Sequence, residues 1–294
     1  MTATCSAVSG AAGERPAGTA AVAATWLCVE QPGPWGAEAL TASHLDPGLG
    51  AELAARAKGT GVRVVLIRRP GRHPDRHRPL PRRAYLAHTA PGRTFLRSAT
   101  LNDPKQLLDL DFAAAGAGSV AGFGAPAAGR LLLVCTNGRR DVCCAVLGRP
   151  AAAELAAAHG DVVWEATHLG GHRFAPTALV LPTGYAYARV DREAGEALVT
   201  APGVVLANCR GRSTWAAPAQ AAELAVRELT NTLDPDVLAV REPERVEGEW
   251  RVVVAHDDGR AWRVSVVEVP GAARPVSCGA AAKVVSEHVV TRID

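Results

Sequence analysis

One order of segments occurs twice along this chain, and that constrains its fold more than any other feature. The first copy opens on an apolar run, Val22 to Val29. A turn-rich loop, Glu30 to Gly36, and a helical stretch around Leu49 to Lys58 follow. Val62 to Ile67 is a β-branched run of the kind that forms a buried strand. Two short strands come next, about Ala84 to His88 and Thr94 to Ser98, with a turn at Pro91-Gly92. Asn102 or Asp103 can cap a helix from Pro104, because proline fits the first helical turn. The second copy begins with a strand from Leu131 to Cys135. It continues with a helix from Pro150 to His159 and a strand from Asp161 to Thr167. A hairpin of Leu179 to Pro182 and Tyr185 to Arg189 turns at Thr183-Gly184, and Asp191 caps a closing helix to about Val199.

Each copy reads β–α–β–β–β–α, the order of a thioredoxin-like domain. The expected fold class is therefore α/β (α+β), with two thioredoxin-like halves at 19–112 and 130–230. An Ala/Gly-rich linker at 113–129 separates them. Residues 1–18 are small and polar and are expected to be a disordered lead-in. A helix from Pro218 to Leu229, with Gln220, Glu223 and Arg227 spaced along it, leads into a C-terminal α/β extension at 231–294. That extension should hold a hairpin of Trp250 to Ala255 and Arg260 to Val269, turning at Asp257-Asp258-Gly259, with a short helix closing the chain.

The bulk properties exclude several classes. The sequence has 294 residues, 48% of them hydrophobic, so a sizeable core can form. It has no run of about 18 or more apolar residues, so no membrane span is expected. The N-terminus lacks the basic, apolar and cleavage regions of a signal peptide, so a cytoplasmic protein is expected. The net charge of +3 implies no particular partner. Arg68 to Arg83 is dense in Arg, His and Pro, but no aromatic residues are interleaved as a stacking platform for nucleic acid would need. It reads as a solvated loop, and no nucleic-acid partner is expected. The seven cysteines are scattered and odd in number, which argues against a disulfide framework and for a metal or redox role.

The chemistry concentrates in the second copy. CTNGRRDVCC spans Cys135 to Cys144, and HLGGH follows at His168 to His172. Each segment begins at the end of an expected strand. If those strands are neighbours, the side chains emerge at one sheet edge. Thiolates are soft ligands and imidazoles borderline, so such a set suits zinc or iron–sulfur, and both stay open on this ground alone. Arg139 and Arg140 between the cysteines could offset the charge of bound thiolates. Gly170-Gly171 argues against a helix between the histidines, since two adjacent glycines cost about 2 kcal/mol of helix propensity relative to alanine. No glutamate follows His168, so a zinc-protease reading fails. No segment singles out the carboxylate pair that a glycoside hydrolase needs, so sucrase activity is not expected.

CTNGRRDVCC and HLGGHRFAPTALVLPTGYAYARV resemble the sucrase/ferredoxin-like family, as do WLCVEQPGPWG near the start, CRGRS at Cys209 to Ser213, PAQAAELAVRE, and RPVSCG at Arg274 to Gly279. The resemblance runs from about Thr25 to Cys278. It implies a thioredoxin-like ferredoxin with a [2Fe–2S] cluster held by Cys135, Cys144, His168 and His172, with Cys143 as an alternative thiolate beside Cys144. Relatives often carry histidine where this chain has Asn137, a position not expected to be a ligand. The first copy has Cys28 in the place of Cys135 but no HxGGH, and so is expected to be cluster-free.

The function expected from this resemblance is one-electron transfer or redox sensing, coupled to a proton through the histidine ligands, with a reductase or electron acceptor as partner. The alternative is a non-redox protein with a structural zinc ion on two cysteines and two histidines. Either a monomer or a homodimer is compatible with the pattern.

Overall fold

The computed structural model describes residues 4–71, 81–120 and 122–294. Most of the basic stretch 68–83, from 72 to 80, lies outside the described residues.

The stretch expected to be a disordered lead-in contains a helix, α1 (Cys5–Ala11), begun by the Thr4 hydroxyl, which accepts the Ala7 N–H. Cys5 and Ser9 on it are fully buried. What anchors the segment is polar rather than apolar. Glu14 is buried and ion-paired to Arg173 at 2.7 Å and Arg274 at 2.8 Å. Those partners are remote in sequence, so no local pattern betrays the anchoring.

The first half contains β1 (Thr25–Glu30), α2 (Pro47–Ala57), β2 (Val62–Arg68), β3 (Arg82–His88) and β4 (Phe95–Leu101). β1 runs parallel to β2 and antiparallel to β3, which pairs antiparallel with β4. The helix expected from Pro104 is one 3-10 stretch, Pro104–Asp109, started by a capping box between Asp103 and Gln106. The Ala/Gly-rich stretch 113–129 holds the end of α3 (Phe112–Gly116) and β5 (Ala125–Pro126), which extends the sheet by pairing with β4.

The second half contains β6 (Leu131–Cys135), α4 (Val142–His159), β7 (Val163–Ala166), β8 (Ala178–Leu181), β9 (Tyr185–Tyr187), α5 (Arg192–Thr200) and β10 (Cys209–Arg212). The pairing repeats that of the first half: β6 is parallel to β7 and antiparallel to β8, which is antiparallel to β9. α4 starts eight residues before the expected Pro150. Asp141 caps it by accepting the Cys143 N–H at 3.0 Å, and the helix runs through Pro150. The Val146 carbonyl, which has no Pro150 N–H to bond, belongs to an exposed residue, so water can satisfy it.

All ten strands form one mixed sheet in the order β10-β9-β8-β6-β7-β2-β1-β3-β4-β5. The halves meet where β2 and β7 pair antiparallel, with Ile67 opposite Ala166 and Arg68 opposite Glu165. The Arg68–Glu165 ion pair, 2.7 Å, is buried at this seam, and the Thr136 hydroxyl also donates to Glu165. One hydrophobic cluster crosses it, joining Trp26, Cys28 and Tyr85 to Leu133, Cys135 and Trp164. The architecture is mixed α/β.

α6 (Ala217–Thr230) leads into β11 (Leu238–Val240), β12 (Glu244–Val246), β13 (Glu249–His256), β14 (Ala261–Pro270), β15 (Arg274–Pro275), β16 (Ala282–Lys283) and β17 (Ser286–Ile293). β13 and β14 form the expected hairpin. The chain closes on a strand, not a short helix. β17 is rich in β-branched residues, and β14 supplies its antiparallel edge, with Val267 opposite Val289. α6 packs Ala219, Ala222 and Val226 against Val252, Val254, Val264 and Val266 of this second sheet. Gln220, Glu223 and Arg227 on the same helix are fully buried.

Candidate metal centre

Cys135 is the last residue of β6, and its N–H bonds the Thr177 carbonyl at 2.9 Å, which fixes its backbone in the sheet. α4 comes down against this strand end because residue 148 is glycine. A Cβ there would collide with the Cys135 carbonyl. The close approach brings Cys144, in the first turn of α4, onto Cys135. Cys144 and Cys135 pack in the same buried cluster. Both cysteines are buried.

The histidines arrive from β7, the parallel neighbour of β6. Arg63 of the first half donates to the His168 carbonyl at 2.9 Å. Gly170 and Gly171 have φ of 86° and 67°, the left-handed region, so this turn requires glycine. Arg210 fills the space beside it and donates to the Gly170 carbonyl at 2.9 Å and to the Thr19 carbonyl. The turn sets the His168 and His172 rings 5.1 Å apart, centroid to centroid. His172 also starts a 3-10 turn, His172–Phe174, on which α1 packs.

Despite burial, the neighbouring Cys144 thiol holds the Cys135 thiol well below its ordinary range. His168 and the N–H groups of Leu169 and Asn137 add to the effect. Cys135 in turn, with burial, pushes Cys144 far up. Burial holds His172 below the ordinary imidazole value, against the pull of Asp141. Arg63, half-buried, and Arg210, buried, act on Cys135 through their charge. Burial lowers Arg63, and burial beside Arg173 lowers Arg210 to about 9. His168 Nδ1 and His172 Nδ1 are both buried without a hydrogen-bond partner.

The four residues expected as ligands thus lie at the adjoining ends of β6 and β7 and at the start of α4. Cys143 does not join them. Its Sγ lies 3.6 Å from Cys5 and 3.1 Å from Cys278. Arg140 is ion-paired with Glu38 of the first half, and Arg139 lines a cleft with Trp35 and Arg68. The Asn137 side chain donates to the Gly36 carbonyl at 3.1 Å. Cys28 is a core residue, its thiol pushed up by burial, and burial also raises Cys209 to about 12.

Sequence reasoning missed Arg63 and Arg210. The signal for the second was the CRGRS string. Arg210 holds the glycine turn. Arg212 donates to the Thr89 carbonyl at 2.6 Å, and Ser213 accepts from the Trp26 indole at 3.0 Å.

This arrangement belongs to a mixed α/β protein whose second half gathers two thiols and two imidazoles at a strand end. The sucrase/ferredoxin-like family matches residues 16–211, about two thirds of the chain, and the chain belongs to that family. None of the curated proteins and none of the solved structures matches it. Among the described residues, no helix is long and apolar enough to cross a membrane.

Proposed function

We propose that Cys135, Cys144, His168 and His172 hold a [2Fe–2S] cluster, and that the protein carries single electrons to or from a protein partner or senses redox state. The observation that carries this reading is the orphaned pair of imidazole nitrogens beside a thiol pair. Two buried Nδ1 atoms without partners each forgo a hydrogen bond, at a cost of about 1–3 kcal/mol apiece, and coordination would satisfy both. The donors fall into two thiols and two imidazoles, which suits one pair on each of two irons. The order β7-β6-β8-β9, with β6 and β7 parallel, supports a thioredoxin-like second half. The matching order β2-β1-β3-β4 supports a degenerate first half.

When bound, such a cluster supplies reversible one-electron chemistry at a potential above that of an all-thiolate site, because imidazoles are neutral ligands. The chain's own groups would support it. Arg63 and Arg210 offset the negative charge of the thiolates, and the Leu169 and Asn137 N–H groups bond the Cys135 sulfur. His168 lines a surface groove with Glu38, Leu40, Arg63 and Arg140, and His172 is also partly exposed. Electrons, and any proton that accompanies them, would pass on the histidine side. The free cysteines fit a reducing, cytoplasmic setting.

The test is the visible and EPR spectra of anaerobically purified protein, with His168→Cys and His172→Cys variants. A red-brown protein that bleaches with dithionite is expected, and each variant should change the reduced-state EPR signal. A colourless protein carrying zinc on these four residues would refute the reading. So would variants that leave the EPR signal unchanged.

A further inference from the structure

A second cluster of donors lies outside this site. Cys5 of α1, Cys143 of α4 and Cys278, in the loop between β15 and β16, bring three Sγ atoms within 3.1, 3.5 and 3.6 Å of one another. The Asp141 carboxylate stands 3.7 Å from Cys5 Sγ. All four donor atoms lie within 4.8 Å of one another, and three of the four residues are buried. We propose that these residues bind one zinc ion as a structural site on three cysteines and one aspartate.

The spacing fits a single ion. With metal–sulfur bonds of about 2.3 Å, a tetrahedral ion holds its sulfurs about 3.8 Å apart, close to the separations here. Thiolates on different irons of a cluster would stand farther apart. Three soft thiolates exclude magnesium and calcium, and the hard carboxylate oxygen favours zinc over copper(I). Groups around the donors are arranged for an anionic site. The Cys278 and Cys143 N–H groups and the Ser277 hydroxyl donate to Asp141 at 2.8, 3.0 and 2.8 Å, and the Cys5 N–H points at Cys278 Sγ at 3.5 Å. Binding would release three thiol protons to solvent and leave the site with a charge of −2.

The four ligands come from three segments: residue 5, residues 141 and 143, and residue 278. Cys5 and Cys278 both lie outside the part that the family matches. Zinc would therefore staple the N-terminal helix and the C-terminal loop onto the start of α4. Asp141 is also 3.9 Å from His172 Nε2, so the two groups of donors adjoin there.

The probe is zinc itself, in full-length protein from zinc-supplemented cells. Zinc and iron are counted by mass spectrometry, with zinc K-edge absorption on the same sample. One zinc per chain is expected, with three sulfurs at about 2.3 Å and one oxygen at about 2.0–2.2 Å. Cys5→Ala and Cys278→Ala should lose the zinc while iron content and visible spectrum persist, which also shows that the variants fold. Zinc retained in both variants would overturn the proposal, as would a Cys143–Cys278 disulfide in the purified protein or the absence of zinc. A shell of two sulfurs and two nitrogens would overturn it and place zinc on Cys135, Cys144, His168 and His172. One zinc in the three-sulfur shell without any iron would instead uphold it and sink the [2Fe–2S] reading alone.

Discussion

Cys143 and Cys144 are neighbours in the first turn of α4, yet they pack into different groups of side chains. Cys144 packs beside Cys135 in the central core, and Cys143 lies 3.1 Å from Cys278. Successive helical residues point about 100° apart, so adjacent positions do not share a face. Cys144→Ser should therefore abolish or shift the visible bands and the reduced-state EPR signal, while Cys143→Ser should leave both in place. Equal loss in the two variants would contradict the separation.

Gly171 is the tightest point of the histidine turn. An alanine there would carry φ of 67° and place its Cβ 2.8 Å from Arg210 Cζ. The left-handed backbone alone costs about 1–2 kcal/mol, and displacing the buried guanidinium adds to it. Gly171→Ala should lower both the unfolding midpoint and the iron content. Gly170→Ala meets only Ala21 Cβ at 3.3 Å and should be milder on both measures. The reverse order in iron content would count against the role given to Arg210.

Glu223 and Arg227 form a 2.7 Å ion pair with neither side chain exposed, and Tyr185 donates to the same carboxylate. Arg227 also donates to the Thr232 and Asp234 carbonyls at 2.8 Å, tying α6 to the loop that follows it. Removing one member of a buried pair leaves an uncompensated charge. Arg227→Met should cost about 3–5 kcal/mol in urea unfolding, and adding Glu223→Gln should recover part of that loss. A cost below about 1 kcal/mol would be the value of an exposed pair and would contradict this burial.

Glu14 gives the N-terminal anchor a pH dependence. Burial alone would raise its carboxyl, but hydrogen bonds from Arg274, Arg173 and Ser9 outweigh it and hold the group below its ordinary value. A lowered folded pKa contributes stability that is complete above the unfolded value of about 4.3 and is lost as pH falls through the folded value. The melting-temperature gap between the protein and Glu14→Gln should be widest near neutrality and shrink below about pH 4. A gap that stays constant down to pH 3 would contradict the assignment.

Much of the framework was legible in the sequence. The β-branched run of β2, the Thr183-Gly184 hairpin, the Asp191 cap and the β13–β14 turn each depend on contacts a few residues apart, and they form where the pattern put them. One helical boundary and the C-terminal strand were not legible. The alanine-rich stretch from Pro150 read as the helix, but Asp141 caps α4 earlier and packing against β6 carries the helix through. β17 needed β14 as a partner before its Val and Thr residues could mean strand rather than helix.

The sequence by itself determined the repeated order of segments and the two strings that bear cysteine and histidine, because both are local in the chain. It also carried the kinship of residues 16–211 to the sucrase/ferredoxin-like family. Only the tertiary structure decided which sulfur faces which neighbour. The separation of Cys143 from Cys144 rests on the rotation of one helix about its axis. The meeting of Cys5, Asp141, Cys143 and Cys278 rests on contacts as far as 273 residues apart in the chain. No spacing rule spans such a distance, and only the closure of the whole fold brings those side chains together.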